Sequence, residues 1–199
     1  MAREVIEVVK PRWCGPDLDS WGLDHGTWSV LAHVYPSADV PVLQLSLNAT
    51  KDLAYHFDLA TRLAPLREQG VLVLASGNVV HNLGDAIGRM RTGSTDTPPW
   101  ARRFDTTAAR ALTQRDTKGL LSLSFGSEDG KLAHPTPDHL LPLLYTCGAA
   151  DGRDVVQFPI EGFHRSFCGQ NHMAIAIGIK QWFISTARRY RKELQIIAI

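Results

Sequence analysis

The stretch VLVLASGNVVH, residues 71–81, decides the expected fold of this chain. Its first five residues are apolar on both faces, which is typical of a strand covered by helices on each side. The segment 51–69 before it repeats apolar residues at helical spacing and stops at Gly70, a residue that commonly follows a helix. A helix that leads directly into a buried strand predicts an α/β fold with some parallel pairing.

The same two patterns predict further elements along the chain. Strands are expected over 40–47 (VPVLQLSL) and over 155–160 (VVQFPI). Helices are expected over 24–35, over about 100–111, and over 136–144, where Thr-Pro-Asp has the form of a helix start. Loops are expected over 93–99 and 125–135.

The composition is that of one soluble core and excludes several classes of protein. The chain has 199 residues, of which 44% are hydrophobic; 21 Lys and Arg against 20 Asp and Glu leave a net charge of +1. This balance gives no electrostatic basis for binding nucleic acid or an anionic membrane, so a small-molecule or protein partner is expected. No apolar run approaches the roughly 18 residues of a membrane span. Three scattered cysteines without CxxC spacing predict a reduced, cytoplasmic protein.

Three histidines occupy positions where the local sequence predicts exposure to a cleft. His81 follows the carboxyl end of the 71–75 strand, the edge at which open α/β sheets bind ligands. His25 lies at one predicted helix start, and His139 lies in the first turn of another. Their wide separation in sequence matches no local zinc motif, so a metal site or an acid–base pair would require tertiary assembly. Both kinds of chemistry stay open at this point.

Four motifs carry a resemblance to a known family. They are WGLDHGTWSVL (21–31), VPVLQLSL (40–47), ASGNVVHNL (75–83) and HPTPDHLLPLLYTCGAADG (134–152). In this order they resemble the second half of the DODA-type class III extradiol ring-cleavage dioxygenases of the LigB-like superfamily. The resemblance implies a three-layer α/β/α fold and an oxidoreductase that opens a catechol-type, 4,5-DOPA-like ring beside its two hydroxyls. It also implies O2 as co-substrate and a mononuclear metal, Fe(II) for turnover or Zn(II) as isolated.

The resemblance also implies roles for the three histidines. His81 matches the family's catalytic base, His25 matches the histidine beside the substrate, and His139 matches a metal ligand. Two further histidine motifs that complete the family's metal site, Gly-His-Gly-Ser-Pro and Ser-Ala-His-Trp, do not occur in this chain. We therefore expect weak metal binding and no ring cleavage from the chain by itself, with His134 as a less favoured substitute ligand.

Domain boundaries follow from the extent of the resemblance. Residues 1–16 are expected to be a non-familial start, 17–163 the C-terminal part of a LigB-like catalytic domain whose N-terminal portion is missing, and 164–199 a divergent tail. A reading-frame change near Phe163 would account for the tail. Missing strands predict self-association through exposed sheet edges.

Two other functions stay open beside the dioxygenase. Loss of metal ligands is what a non-catalytic binding or interaction protein of the same fold would show. A zinc hydrolase has only the generic histidines in its favour.

Several other residues are expected to be structural. Trp21 and Trp28 could line an aromatic substrate pocket, but packing in the core is the preferred interpretation. Asp24 could orient His25, and a helix cap is slightly preferred. Cys147 is predicted as a buried inert thiol. His33 and His56 are predicted as ordinary surface or packing residues.

Overall fold

A computed structural model describes residues 1–18, 20–123, 126–158, 163, 176–177 and 194–199. The chain divides into two compact units. The first comprises Met1–Ser76, Leu144–Val155 and Ile177–Ile199, and the second comprises Gly77–Leu143 and Val156–Ala176. Most of the predicted divergent tail, Cys168 included, lies outside the described residues.

Helices and short strands alternate along the described part of the chain. The helices are α1 (Ala2–Val8), α2 (His25–Val34), α3 (Leu53–Arg67), α4 (Leu83–Arg91), α5 (Pro99–Thr113), α6 (Thr117–Ser122), α7 (Glu128–Ala133) and α8 (Leu141–Ala149). The strands are β1 (Val42–Gln44), β2 (Val71–Leu74), β3 (Val156–Gln157), β4 (Ala176–Ile177) and β5 (Gln195–Ala198). None of the described helices has the length and apolar character needed to cross a membrane.

A three-stranded parallel sheet forms the centre of the first unit. Its strand order is β1-β5-β2, so the strand nearest the end of the sequence lies between the two strands predicted from the sequence. Ile196 of β5 pairs with Val42 of β1 on one side and with Leu72 of β2 on the other. The predicted parallel pairing is therefore confirmed. Among the described residues β1 and β2 lie at the edges of this sheet, and association of chains through them stays a prediction.

Alternating residues of β5 bury both faces of the sheet. Ile197 and Ile199 belong to a core cluster with Leu59 and Leu63 of α3. Ile196 and Ala198 form a second cluster with Leu31 of α2. Because successive side chains of a strand point to opposite faces, helices pack on both sides of the sheet. This layering confirms the predicted α/β class.

Local signals account for the helix boundaries beside the sheet. The Asp24 carboxylate accepts a 2.8 Å hydrogen bond from the Thr27 N–H and caps α2, as predicted. α3 is capped in the same way by Asp52. α3 ends before Gly70, which adopts a φ of +84° that glycine accommodates without strain, and β2 begins at the next residue.

Three expectations were wrong, and a fourth was confirmed in part. The helix predicted over 136–144 begins only at Leu141, because a turn in which the N–H groups of residues 140 and 141 both bond to Pro137 O precedes it. The predicted loop 125–135 contains α7, which the Ser127 hydroxyl caps. The strand predicted over 155–160 is confirmed at 156–157 as β3, and residues 159–160 lie outside the described residues. Trp21 and Trp28 are 87% and 55% exposed, so neither is a core residue.

Ile197→Ala tests the central position of β5. Ile197 is fully buried, and removing its outer side-chain atoms leaves a cavity, so we expect the free energy of unfolding to fall by about 2–5 kcal/mol. Urea denaturation followed by circular dichroism measures this change. The matched control is Val155→Ala at a half-exposed position, which should change stability by less than about 0.5 kcal/mol. Equal effects of the two substitutions would contradict the buried position of β5.

Candidate active site

His81 and His139 form the centre of the candidate site in the second unit. Their imidazole rings are stacked, with centroids 3.5 Å apart and an angle of 18° between the ring planes. Both side chains are half-buried. Two of the three histidines predicted from the sequence are therefore brought together, although 58 positions (81 to 139) separate them.

Backbone hydrogen bonds hold the two segments that carry these rings. The Asn78 N–H donates to His139 O at 3.0 Å, and the His81 N–H donates to Ala133 O at 2.9 Å. The Asn82 side chain adds a third tie by donating to Leu132 O at 2.7 Å, while its own oxygen caps α4. The loop after β2 is thus joined to the last two residues of α7 and to the turn before α8.

Gly77 allows the closest approach between these two segments. A Cβ built on Gly77 would meet the His139 carbonyl oxygen well inside van der Waals contact and would lie 3.3 Å from Pro142 Cγ. Only glycine leaves room for the carbonyl at this point. The glycine of the ASGNVVH motif is therefore explained by the position of the His139 backbone.

The surroundings of His81 favour its neutral form. Burial lowers the pKa of His81, and the neighbouring His139 ring lowers it further, while the Asp138 carboxylate opposes both effects. Neutral imidazole has a free lone pair and accepts a proton at neutral pH. The Asp138 carboxylate lies 3.6 Å from His139 Nε2, where it would stabilise positive charge on that ring.

His25 lies in the first unit, at the first residue of α2. Its side chain is exposed, and the Asp24 cap fixes the backbone on which it sits. The Gln44 side chain of β1 accepts a 2.8 Å hydrogen bond from the Asp24 N–H and so attaches this helix start to the sheet. The structure thus places His25 on a well-defined helix end, and its catalytic role stays a prediction.

The described residues do not fit a complete metal centre. The structure contains no group of three or more His, Cys, Asp or Glu side chains that could hold an ion in the part of the chain it describes. The stacked rings are not arranged for chelation either, because imidazole lone pairs lie in the ring plane and the two planes are nearly parallel. An ion equidistant from both rings would sit outside each plane, away from the lone pairs.

His134 is the functional residue whose place the sequence did not reveal. It is fully buried, and its Nε2 lies 2.5 Å from Val79 O. Burial lowers the pKa of His134 to about 4. Its sequence neighbours, Ala133 and Pro135, carry no signal of burial, although its position five residues before His139 did draw attention to it as a substitute ligand.

The remaining predictions for single residues are confirmed, that for Cys147 in part. His56 is a buried packing residue whose ring nitrogens contact Tyr145 OH and Asn48 O. His33 is exposed and bonds to its own helix at Ser29 O. Cys147 departs from its prediction in one respect, because it is half-buried and not fully buried; burial still raises the pKa of its thiol to about 12, which makes it a poor nucleophile.

The fold is that of an α/β protein, and its candidate site contains two stacked histidine rings. The chain belongs to the LigB family: the family described as the catalytic LigB subunit of aromatic ring-opening dioxygenase matches residues 1–176. This family comprises ring-cleavage dioxygenases, which are metal-dependent oxidoreductases that use O2. The predicted LigB-like membership is thereby confirmed.

Relatives and a solved structure agree with this assignment. The chain is 40% identical over 164 residues to a 4,5-DOPA dioxygenase extradiol of Escherichia coli K12, a match covering 81% of this chain and 59% of the relative. It is 39% identical over 129 residues to the protein of that name from Beta vulgaris, covering 65% and 47%. The crystal structure of uncharacterized protein JW3007 from Escherichia coli K12 superposes with a TM-score of 0.72 at 37% identity, covering 85% of this chain and 69% of that chain. The chain thus spans about three fifths of the length of the E. coli relative.

Gly77→Ala tests the close approach that supports the histidine pair. The added methyl group collides with His139 O, so the turn must move, and we expect a loss of about 1–3 kcal/mol in the free energy of unfolding. The ring-current shifts of His81 and His139, seen in proton NMR of histidine-labelled protein, should decrease at the same time.

Gly88→Ala is the matched control for this substitution. A Cβ at Gly88, within α4, meets no atom within 4 Å, and alanine favours the helix by about 0.5–1 kcal/mol. This variant should be slightly more stable, with unchanged histidine signals. Equal behaviour of the two variants would contradict the tight contact at Gly77.

The buried His134 makes stability depend on pH. Its pKa falls from an ordinary 6.5 to about 4 on folding, so at intermediate pH the unfolded chain binds the proton first. Stability is therefore lost as pH falls below 6.5 and the loss levels off below about 4, with a total of about 3 kcal/mol. Urea denaturation at pH values from 7 to 4 measures this slope. His134→Gln, which does not titrate, should show a shallower slope, and equal slopes would contradict the prediction.

Proposed function

We propose that this chain carries the proton-transfer part of an extradiol ring-cleavage site for a catechol-type substrate. The observation that carries the proposal is the stacked His81–His139 pair, held on two segments that backbone hydrogen bonds tie together. Membership in the LigB family supports a ring-opening reaction. The relatives named 4,5-DOPA dioxygenase extradiol support 4,5-DOPA or a similar catechol as the substrate.

In this proposal His81 is the general base. A catechol hydroxyl donates its proton to the free ring nitrogen of neutral His81, and the electron pair of the O–H bond stays on the catechol oxygen. The substrate thereby becomes a catecholate and His81 an imidazolium. The lowered pKa of His81 supports this role, because the group is neutral before the transfer and gives its proton up readily afterwards.

The other two histidines have separate roles. His25, exposed at the start of α2, is proposed to donate a hydrogen bond to a substrate oxygen. His139 is proposed as one ligand of Fe(II) or Zn(II), and such a metal, when bound, would supply binding sites for catechol oxygens and for O2. The described residues do not supply the remaining ligands, so the role proposed for this part of the chain is proton transfer.

A second candidate function is a binding protein of the same fold that does not catalyse ring cleavage. The absence of a three-residue metal-binding group among the described residues favours it. The two candidates share catechol binding and differ in the consumption of O2.

A catechol titration of the full chain tests the proposal. We expect 4,5-DOPA to shift the ring signals of His81 and His139 in NMR spectra, and His81→Gln to weaken binding by on the order of tenfold or more through loss of the proton acceptor. The control His33→Gln changes an exposed histidine on α2 and should bind like the unaltered chain. If neither ring responds to the catechol, the proposed function is wrong.

Oxygen uptake then separates the two candidates. With Fe(II) and catechol added, a dioxygenase consumes O2 and forms a coloured ring-opened product, and His81→Gln should slow it by about 10²- to 10⁴-fold. Catechol binding without O2 uptake would favour the binding protein.

A further inference from the structure

A fully buried histidine, His134, lies close to the candidate site in the second unit. His134 is 0% exposed, and the Phe104 ring packs beside it with centroids 5.5 Å apart. His134 follows Ala133, whose carbonyl accepts a hydrogen bond from the His81 N–H. The His134 side chain itself bonds to the carbonyl of Val79, two residues before His81.

We infer that His134 is a positioning residue, which holds the His81–His139 stack by donating a hydrogen bond from its Nε2 to Val79 O. The contact is 2.5 Å long. It is the side-chain hydrogen bond among three that join the loop 78–81 to residues 133–139. The Asn78 N–H bonds to His139 O, the Val79 carbonyl bonds to His134, and the His81 N–H bonds to Ala133 O. Without His134, the Val79 carbonyl would lose its buried partner.

The tautomer of His134 follows from these partners. Val79 O is an acceptor, so the hydrogen bond requires a proton on Nε2. Nδ1 then carries a lone pair, and it is a buried atom with no hydrogen-bond partner among the described residues. The opposite tautomer would place two lone pairs against each other and would leave an N–H donor unpaired. Burial keeps the ring neutral, since its pKa is about 4.

The same geometry argues against His134 as a substitute metal ligand. Its Nε2 is occupied by Val79 O, and its ring has no exposed surface through which an ion would reach it. The inference rests on the proposed function only in one respect: that the stacked pair so positioned takes part in proton transfer. The positioning itself can be measured without substrate.

Two variants of similar volume test the hydrogen bond. His134→Gln retains an amide N–H that can reach Val79 O, and His134→Leu retains only bulk. Both lack the ring, so a difference between them reports the donor and not a change in ring current. We expect His134→Leu to reduce the mutual ring-current shifts of His81 and His139 and to speed hydrogen exchange of the Asn78 and His81 amides at least tenfold. His134→Gln should retain the shifts and keep exchange within about threefold of the unaltered chain.

His56→Leu is the matched control. His56 is equally buried, and its ring makes two hydrogen bonds where that of His134 makes one, but it lies in the first unit. A merely structural loss of a buried histidine should leave the His81 and His139 signals in place. If His134→Leu leaves both the ring shifts and amide exchange unchanged, or if His134→Gln behaves like His134→Leu, the inference is wrong.

A measurement on the unaltered chain covers the case in which His134→Leu fails to fold. Nitrogen-15 chemical shifts of labelled histidine distinguish the two neutral tautomers. We expect His134 to carry its proton on Nε2, and a proton on Nδ1 would overturn the inference. None of these experiments uses a catechol. If the stack depends on His134 but the chain does not bind 4,5-DOPA, the positioning role is therefore supported and the proposed function is wrong.

Discussion

The candidate site depends on the close contact between the backbone at Gly77–Asn78 and the carbonyl of His139. The Asn78 N–H donates to that carbonyl at 3.0 Å. Because Gly77 has no side chain, its backbone can approach the backbone of His139 closely. This contact sets the distance at which the loop after β2 passes the turn before α8. The imidazole rings of His81 and His139 can stack only at such a distance.

The second constraint is the cost of burying polar groups. Val79 and Val80 are buried, so their segment cannot leave its carbonyl groups without partners. The chain satisfies Val79 O with a side chain, His134, in place of a backbone donor. That solution places a third imidazole near the stacked pair. Positive charge on His81 or His139 disfavours a proton on His134, so the cluster resists accumulating protons. The base proposed at His81 must release its proton again, and such surroundings would suit it.

Local signals predicted the elements beside the site, and distant contacts determined the rest. The Asp24 cap and the run of residues 71–75 were visible in the sequence because capping and apolar runs are local patterns. β5 was not predicted, because its four residues are too few to show a period and it is a strand through pairing with β1 and β2. His81 was placed after its strand correctly. The stacking of His81 on His139 could not be read from either segment alone, since it results from hydrogen bonds across more than fifty residues.

Two exposed tryptophans, Trp21 and Trp28, flank His25. Trp21 is 87% exposed and Trp28 is 55% exposed, although large apolar side chains are ordinarily covered in a stable protein. Both flank His25 in the motif WGLDHGTW, which is one of the four motifs that carry the family resemblance. Trp21 precedes helix α2, and Trp28 lies one turn before Leu31, which packs on Ile196 of the sheet. The exposed surface of both tryptophans therefore leaves apolar area beside His25, and in the proposed function an aromatic substrate would gain from contact with it.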